Sequence, residues 1–243
     1  MKEHLVKASF LGVATFLGWS NDSWANLVNW YDFSLSGVYG ENYQLSDNEL
    51  KIITMESAVD YSFGDHFIFV DNKYDSDNEY HAYAELLLRA SCKKIFDYKV
   101  DFGRLKDVLV ALRIEHAYPL GEDNQAYGIG MDWDIPGFRY FKVNAFMREN
   151  DVVDDNALLN LVWGYPFKGF GQEFLYDGFF DWVSGVSGQY KTSFNLTSQL
   201  KWQVTEFNKK PLYLGVEYVY WNNKFGVEDV NERNINALLK FHF

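Results

Sequence analysis

Apolar and polar residues alternate along much of this chain. In residues 80–91, Leu86 and Leu88 share one face with three alanines, whereas Glu85 and Arg89 share the other. A period of two is typical of a β-strand that has one apolar and one polar face. The last ten residues of the sequence repeat the pattern. We therefore predict an all-β fold.

Twelve segments of this kind are predicted along the chain, with no linker or change of composition between them. They span residues 32–40, 50–61, 65–72, 80–91, 106–117, 125–133, 138–149, 157–165, 172–182, 190–202, 211–222 and 234–243. Membrane-crossing strands need roughly 9–11 residues each, plus turns. The sequence therefore predicts a twelve-stranded antiparallel transmembrane β-barrel of the bacterial outer membrane.

Charged residues indicate which face of each strand points into the barrel. A Lys or Arg that faces lipid near the bilayer midplane costs about 2–4 kcal/mol, so charged positions should face the lumen. This rule places Leu86, Val110 and Leu214 outside, and Arg113 and Glu217 inside. A shift of one residue would reverse every face of a strand, so the choice is well determined.

Aromatic residues are predicted to ring both ends of the barrel. Even-numbered strands should end in the outward residues Tyr61, Trp133, Tyr165, Trp202 and Phe243. Amphipathic rings prefer the membrane interface, and these residues would form its periplasmic girdle. The remaining even-numbered strand ends near Cys92 and breaks the pattern. A sparser belt at the opposite rim is predicted from Tyr127, Trp182 and Tyr220.

The start of the chain has the pattern of a secretory signal. Lys2 and Lys7 accompany an apolar run over residues 8–17, and Ser23-Trp24-Ala25 is a small-x-small cleavage motif. Ten apolar residues are too few for a spanning helix, which needs about 20. We expect a signal peptide at residues 1–25 and the barrel at residues 26–243.

Composition excludes several functions. The net charge is −12, whereas nucleic-acid binding needs clustered Lys and Arg, so we expect no nucleic-acid partner. Aromatic residues make up 19% of the chain and there are only four prolines, which suits many lipid-facing strands. The single cysteine, Cys92, excludes an internal disulfide. No His or Cys spacing indicates a metal site, and no cofactor is expected.

Several segments resemble one family of outer-membrane proteins. The stretch from Gly171 to Trp182, GQEFLYDGFFDW, is similar to a motif of the Tsx-like nucleoside-specific channel-forming proteins. The segments 127–132, 143–145 and 55–58 resemble other strands of that family in the same order. The resemblance implies a twelve-stranded barrel with a narrow lumen that passes nucleosides. It also implies that the outer loops serve as receptors for bacteriophage.

The inward face offers candidate residues for binding such a solute. Nucleoside bases stack on aromatic rings, and ionised groups hydrogen-bond ribose hydroxyls. The candidate lumen site consists of Glu56, Glu85, Arg113, Tyr140, Phe146, Arg148, Asp177, Phe179, Asp181, Glu217 and Trp221. Tyr213 is a further stacking candidate. The alternative is that these rings and ion pairs only fill and brace the lumen.

Two other functions stay open at this level. An outer-membrane hydrolase could use His81 or His116 near the rim beside a carboxylate, although the chain lacks a Gly-x-Ser-x-Gly motif. A soluble exported β-barrel that binds a ligand would show the same alternation. We expect no enzymatic activity and no catalytic residues. The expected partners are nucleosides, outer-membrane lipids, the assembly machinery that reads the C-terminal strand, and bacteriophage.

Overall fold

The computed structural model describes residues 27–98, 100, 102–119 and 121–243; the predicted signal peptide at residues 1–25 lies outside them. Twelve strands and two short helical turns make up the described chain. The strands are β1 (Val28–Glu41), β2 (Glu49–Tyr61), β3 (Gly64–Tyr74), β4 (Tyr80–Ser91), β5 (Leu105–Tyr118), β6 (Glu122–Trp133), β7 (Tyr140–Glu149), β8 (Asn156–Gly169), β9 (Gln172–Val183), β10 (Ser193–Phe207), β11 (Lys210–Asn222) and β12 (Glu232–His242). Helix α1 (Cys92–Phe96) follows β4, and a 3-10 turn (Lys224–Gly226) follows β11. Among the described residues, no helix is long and apolar enough to cross a lipid bilayer.

Each strand pairs antiparallel with the next one in the chain, and β1 closes the barrel against β12. At the closure, Leu35 lies opposite Phe241 and Val38 lies opposite Leu238. The backbone amide of Phe243 also donates to the carbonyl of Phe33, at 2.9 Å. Closure satisfies the hydrogen-bonding groups that an open sheet edge would leave unpaired. The predicted twelve-stranded antiparallel barrel is confirmed.

All twelve predicted strands are present, and their bounds differ from the predicted ones by up to five residues, most at the end of β8, at the start of β1 and at the end of β10. The predicted strand 157–165 continues as β8 to Gly169, and the predicted strand 190–202 runs as β10 from Ser193 to Phe207. The late start of β10 follows from a turn in which Val186 bridges Tyr190. Gly188 in this turn has φ of +73°, a conformation that favours glycine.

Side-chain exposure confirms the predicted faces. Val110 is 64% exposed on the outside, whereas its neighbours Leu109 and Ala111 are each 2% exposed inside. Ile235 is 70% exposed, and Asn236 next to it is fully buried. A soluble protein places apolar side chains inside, so this barrel has the reverse arrangement. An apolar outer wall around a polar interior is the arrangement that lipid surroundings require.

The barrel has two unequal rims, which we name by the chain ends. The terminal rim, where β1 begins and β12 ends, has the connections 62–63, 92–104, 134–139, 170–171 and 208–209. The distal rim has the connections 42–48, 75–79, 119–121, 150–155, 184–192 and 223–231. Most terminal-rim connections are tight turns. The exception is 92–104, which contains α1.

Aromatic rings line the outside of the terminal rim, as predicted, although two strand ends were assigned wrongly. Because β8 and β10 run further than predicted, their last outward aromatics are Phe167 and Phe207 rather than Tyr165 and Trp202. Phe167 stacks on Phe174 with ring centroids 5.2 Å apart. The rings therefore form a band about two residues deep.

The face assignment can be tested at adjacent positions in the middle of β10. Leu200 faces outward, and Gln199 faces inward, where its side-chain amide donates to Glu217 at 2.8 Å. We expect Leu200→Arg to cost about 2–4 kcal/mol of stability in lipid, because the guanidinium faces the bilayer core. Gln199→Arg should be near neutral, because it gains a carboxylate partner. Urea unfolding in liposomes measures both changes, and equal costs would contradict the assignment.

Candidate functional site

The inner wall of the barrel brings the predicted site residues to one continuous surface. Every predicted site residue occupies an inward strand position, as the register of each strand pair shows. They do not form one cluster, however. Most of the charged ones belong to separate ion-paired groups at different heights in the lumen, whereas Glu217 and the aromatic ones are in no ion pair among the described residues.

The central group is built around Arg113 on β5. Its guanidinium lies 2.8 Å from Glu85, 2.9 Å from Glu115 and 3.0 Å from Asp181. Glu85 and Glu115 are on the same side of the barrel as Arg113, whereas Asp181 is on β9, four strands further round. This ion pair therefore spans the lumen. We name Arg113, Glu85, Glu115 and Asp181 the Arg113 crossbar.

Neighbouring polar side chains hold the crossbar in place. Arg148 binds Glu115 through two of its nitrogens, at 2.7 and 3.0 Å. On the other side, the Asn160 amide donates to Asp181 at 2.6 Å and accepts from Asn144 at 2.8 Å. A charged group taken out of water needs partners for each of its polar atoms. The network supplies partners from five strands, β4, β5, β7, β8 and β9, although the N–H of Arg113 Nε makes no hydrogen bond of good geometry to any described residue.

A second group lies closer to the terminal rim. Arg89 pairs with Asp65, and with Asp132 at 2.8 Å, while Lys142 lies 3.2 Å from Asp65. The Arg89 side chain is fully buried. None of these residues is in the predicted site. Opposite charges at inward positions of the adjacent strands β3 and β4 are the signal in the sequence that could have identified Asp65 and Arg89. The contacts of Asp132 with Arg89 and of Lys142 with Asp65 join strands that are not neighbours.

A third group covers the wall formed by β1, β2 and β9 to β12. Lys240 pairs with Glu56, which also accepts a hydrogen bond from Ser34 at 2.8 Å. Lys201 lies 2.6 Å from Asp177. Both lysines are buried, so each depends on its carboxylate partner for the hydrogen bonds it loses to water.

Carboxylates outnumber cations on the inner wall. Among strand residues, the buried or half-buried inward Asp and Glu residues are Asp32, Glu56, Asp60, Asp65, Asp71, Glu85, Asp107, Glu115, Asp132, Asp177, Asp181, Glu217 and Glu232, and the corresponding Lys and Arg residues are Lys73, Arg89, Arg113, Lys142, Arg148, Lys201 and Lys240. The surplus gives the lumen a negative potential, which low-dielectric walls strengthen.

The predicted stacking residues differ in accessibility. Phe146 is 4% exposed and packs with Leu87, Ala111 and Leu158, so it belongs to an apolar patch of the wall. Tyr213 is also buried. Tyr140, Phe179 and Trp221 keep part of their surface exposed. The sequence alternation could not separate these cases, because it assigns a face and not the packing on that face.

Loops cover part of the lumen at the distal rim. The ammonium of Lys224 lies 5.9, 5.1 and 5.5 Å from the ring centroids of Tyr43, Trp221 and Phe225. It also pairs with Glu232, which accepts from the backbone amide of Gln44 at 2.7 Å. Burial lowers the pKa of Lys224, and the nearby carboxylate opposes that shift. These contacts fasten the loops 42–48 and 223–231 over one side of the opening.

Among the described residues, neither His81 nor His116, the two predicted hydrolase candidates, is hydrogen-bonded to a serine. His116 pairs with Asp123 on the outward face, where no described serine is bonded to it. His66 contacts Ser57 at 3.2 Å and Tyr61 at 2.9 Å, also on the outer wall, and no carboxylate is bonded to its ring among the described residues. Hydrolysis by such a site needs a nucleophile hydrogen-bonded to a base, and a carboxylate hydrogen-bonded to that base.

One group of possible metal ligands lies at the distal rim. Ligand atoms of Asp75, Glu79 and His81 converge within 4.8 Å of one another. Asp75 also accepts a hydrogen bond from the backbone amide of Glu79, at 2.7 Å. That bond is ordinary turn chemistry, so it accounts for the approach of the two acidic residues. We assign no ion to this group.

Comparison with known proteins identifies the fold and nothing finer. No family model and no curated protein sequence matches the chain. Among solved structures, the chain is similar to the KdgM porin, with a TM-score of 0.52 and 7% identity over 87% of this chain and 99% of that one. It is similar also to the KdgM porin in complex with disordered oligogalacturonate, with a TM-score of 0.51 and 8% identity over 86% of this chain and 99% of that one. The chain therefore has a porin-like outer-membrane barrel fold.

The Arg113 crossbar should contribute strongly to stability. We expect Arg113→Gln to cost about 3–5 kcal/mol, because it leaves buried carboxylates without a cation. Arg148→Gln should cost less, since Arg113 still pairs with Glu115 in that variant. Chemical unfolding of the two variants in detergent measures the difference. Equal and small losses of unfolding free energy in the two variants would show that the crossbar contributes little to stability.

Proposed function

We propose that this protein is an outer-membrane channel for small uncharged or cationic solutes, with nucleosides as the substrate class. The observation that carries the proposal is the reversed barrel, in which an apolar exterior encloses a polar, charged interior. Apolar packing would fill a purely structural barrel at a lower desolvation cost than buried ion pairs do. An interior rich in ionisable groups suits the passage of water-soluble molecules.

The crossbar limits what can pass. Twelve strands enclose more space than an eight-stranded barrel, whose interior side chains fill, and less than a 16- to 18-stranded porin. The Arg113–Asp181 pair divides that space. Small solutes therefore fit the geometry better than folded or branched polymers do. Passage of a solute requires local rearrangement of side chains, and the ion pair between Arg113 and Asp181 must open for it.

The lumen charge disfavours the ligand of the similar solved structure. Oligogalacturonate, which is bound to the KdgM porin in one structure, carries a carboxylate on each sugar. In this chain the inward carboxylates exceed the inward cations, so a polyanion would be repelled at close range. We therefore do not extend that ligand class to this protein.

Phe179 is the best-placed residue for recognising a nucleoside base. It faces inward between Asp177 and Asp181, and its ring is partly exposed. One carboxylate oxygen of Asp177, Oδ1, is buried and has no hydrogen-bond partner among the described residues. After a side-chain shift that uncovers this oxygen, a ribose hydroxyl could donate to it while the base stacks on the ring. The same stretch carries the resemblance to nucleoside channels.

Other predicted partners follow from the same placement. In this proposal the terminal rim faces the periplasm and the distal loops face outward, where phage could bind them. The assembly machinery would recognise β12. These roles stay predictions, because they depend on partners that bind the outside of the barrel.

Ion selectivity tests the sign of the lumen charge. We expect a channel reconstituted in planar bilayers to prefer K⁺ over Cl⁻, because inward carboxylates are in excess. The reversal potential in a salt gradient gives the permeability ratio. Exchanging Glu217 for Gln, which removes one inward negative charge, should reduce that preference, whereas Glu173→Gln at the exposed rim should reduce it less. A channel that prefers anions would contradict the proposal.

Substrate block tests the role of Phe179. Nucleosides should reduce the ion current more than free ribose or nucleoside monophosphates do, since ribose lacks the base and the phosphate is repelled. Phe179→Ala should weaken nucleoside block by about 1–3 kcal/mol, as expected for one lost stacking contact. Phe69→Ala, on the opposite wall, is the matched control and should leave the block unchanged. Equal block by nucleosides and ribose would remove stacking as the source of selectivity.

A further inference from the structure

The connection 92–104 differs in charge from the rest of the chain. The sequence from Lys93 to Lys106 contains five of the 22 basic residues and two acidic ones, in a protein whose net charge is −12. Lys94 is held by Asp60 and by the Tyr61 carbonyl, so it anchors α1 to the barrel. Lys93, Arg104 and Lys106 are exposed. The segment is therefore a local basic surface on an acidic protein.

The same segment exposes large apolar side chains. Phe96, Tyr98 and Phe102 are 74%, 62% and 70% exposed, although they lie within a few residues of one another. They lie at the terminal rim beside β4, the one even-numbered strand that ends there without an outward aromatic residue. Aromatic and basic side chains together are typical of surfaces that lie at a membrane interface.

The basic side chains face a groove between this connection and the turn after β6. The groove has a volume of about 820 Å³, and its lining includes Lys93, Arg104, Lys106, Val100 and Asp134. Arg104 donates to the backbone carbonyl of Asp134 at 3.3 Å, which directs its guanidinium toward the groove. Among the described residues, three cations and one carboxylate thus line this space.

The groove adjoins the aromatic band on the outside of the barrel. Leu105, which lines the groove, lies opposite Trp133, the outward residue that ends β6. A ligand in the groove would therefore have its charged part at the rim and its apolar part against the lipid-facing wall. That is the geometry of a phospholipid whose headgroup is anionic.

We propose that the groove lined by Lys93, Arg104 and Lys106 binds the headgroup of an anionic phospholipid in the leaflet at the terminal rim, with Phe96 and Phe102 inserted among the neighbouring lipids. The inference rests on the proposed membrane placement and does not depend on what the lumen transports. Such a contact would anchor this side of the barrel at the membrane interface, where β4 has no outward aromatic residue. It would also fix the height of the barrel in the bilayer on that side.

Lipid retention by the purified barrel tests this site. Native mass spectrometry would compare phosphatidylglycerol with phosphatidylcholine, added at equal concentration to the wild-type protein in detergent. We expect retention of phosphatidylglycerol over phosphatidylcholine. In the variant Lys93→Gln/Arg104→Gln/Lys106→Gln, each lost cation should lower phosphatidylglycerol affinity about fivefold. The control variant Lys168→Gln/Lys209→Gln removes basic residues from the same rim outside the groove and should behave as wild type.

Two further measurements distinguish binding of the headgroup alone from binding of the whole phospholipid. Glycerol phosphate at the same concentration should not displace the lipid, because it lacks the acyl chains; displacement would show a simple anion site and overturn the proposal. Phe96→Ser/Phe102→Ser should weaken retention of both phospholipids. Equal retention of the two phospholipids by the wild-type barrel would also overturn the proposal. A barrel that retains phosphatidylglycerol but conducts no current would support this site while contradicting the proposed channel.

Discussion

The pairing of β1 with β12 is the contact on which the rest of this structure depends. In lipid, a backbone amide or carbonyl without a hydrogen-bond partner costs several kcal/mol, because no water is present to take the place of that partner. Closure removes both sheet edges at once. It also creates an interior that lipid cannot reach, and only there can the charged residues of this chain be accommodated. The reversed distribution of apolar and polar side chains follows from that single constraint.

The closed interior then sets a second requirement, which is to neutralise its own charges. Arg89, Arg113, Lys201 and Lys240 are all buried, and each has a carboxylate within ion-pair distance. Pairs between neighbouring strands, such as Arg89–Asp65, brace the wall, whereas Arg113–Asp181 and Lys142–Asp65 each join strands four apart and cross the lumen. The crossing pairs therefore stabilise the barrel and narrow its lumen. In the proposed channel, bracing and selection of solutes would be two effects of one network.

Much of the fold could be predicted from the sequence, because period-two alternation and the cost of charge in lipid are local rules. They are enough to assign the strands and the faces of residues such as Val110 and Arg113. The bounds of β8 and β10 were less accurate, since turn geometry decides where a strand ends. Helix α1 and the basic surface of the connection 92–104 were not predicted for a similar reason, because that segment is neither alternating nor apolar.

The candidate site was only partly predictable. Inward positions were identified correctly, but Phe146 proved to be packed in the wall and the Arg89 group was not included. Accessibility depends on contacts between strands far apart in sequence, such as β5 and β9. Alternation within one strand contains no information about those contacts. The comparisons add the porin-like fold, and the lumen chemistry must be judged from this chain's own residues.

Single-channel conductance of the wild-type barrel and the double variant Arg113→Gln/Asp181→Asn tests most directly whether the crossbar sets the width of the lumen. Both variant residues keep hydrogen-bonding groups but lose the ionic contact across the lumen. We expect small conductance steps for the wild type and clearly larger ones for the double variant in the same bilayer and salt. Identical conductance in a variant that still folds as a barrel would contradict the central claim that this ion pair controls the passage.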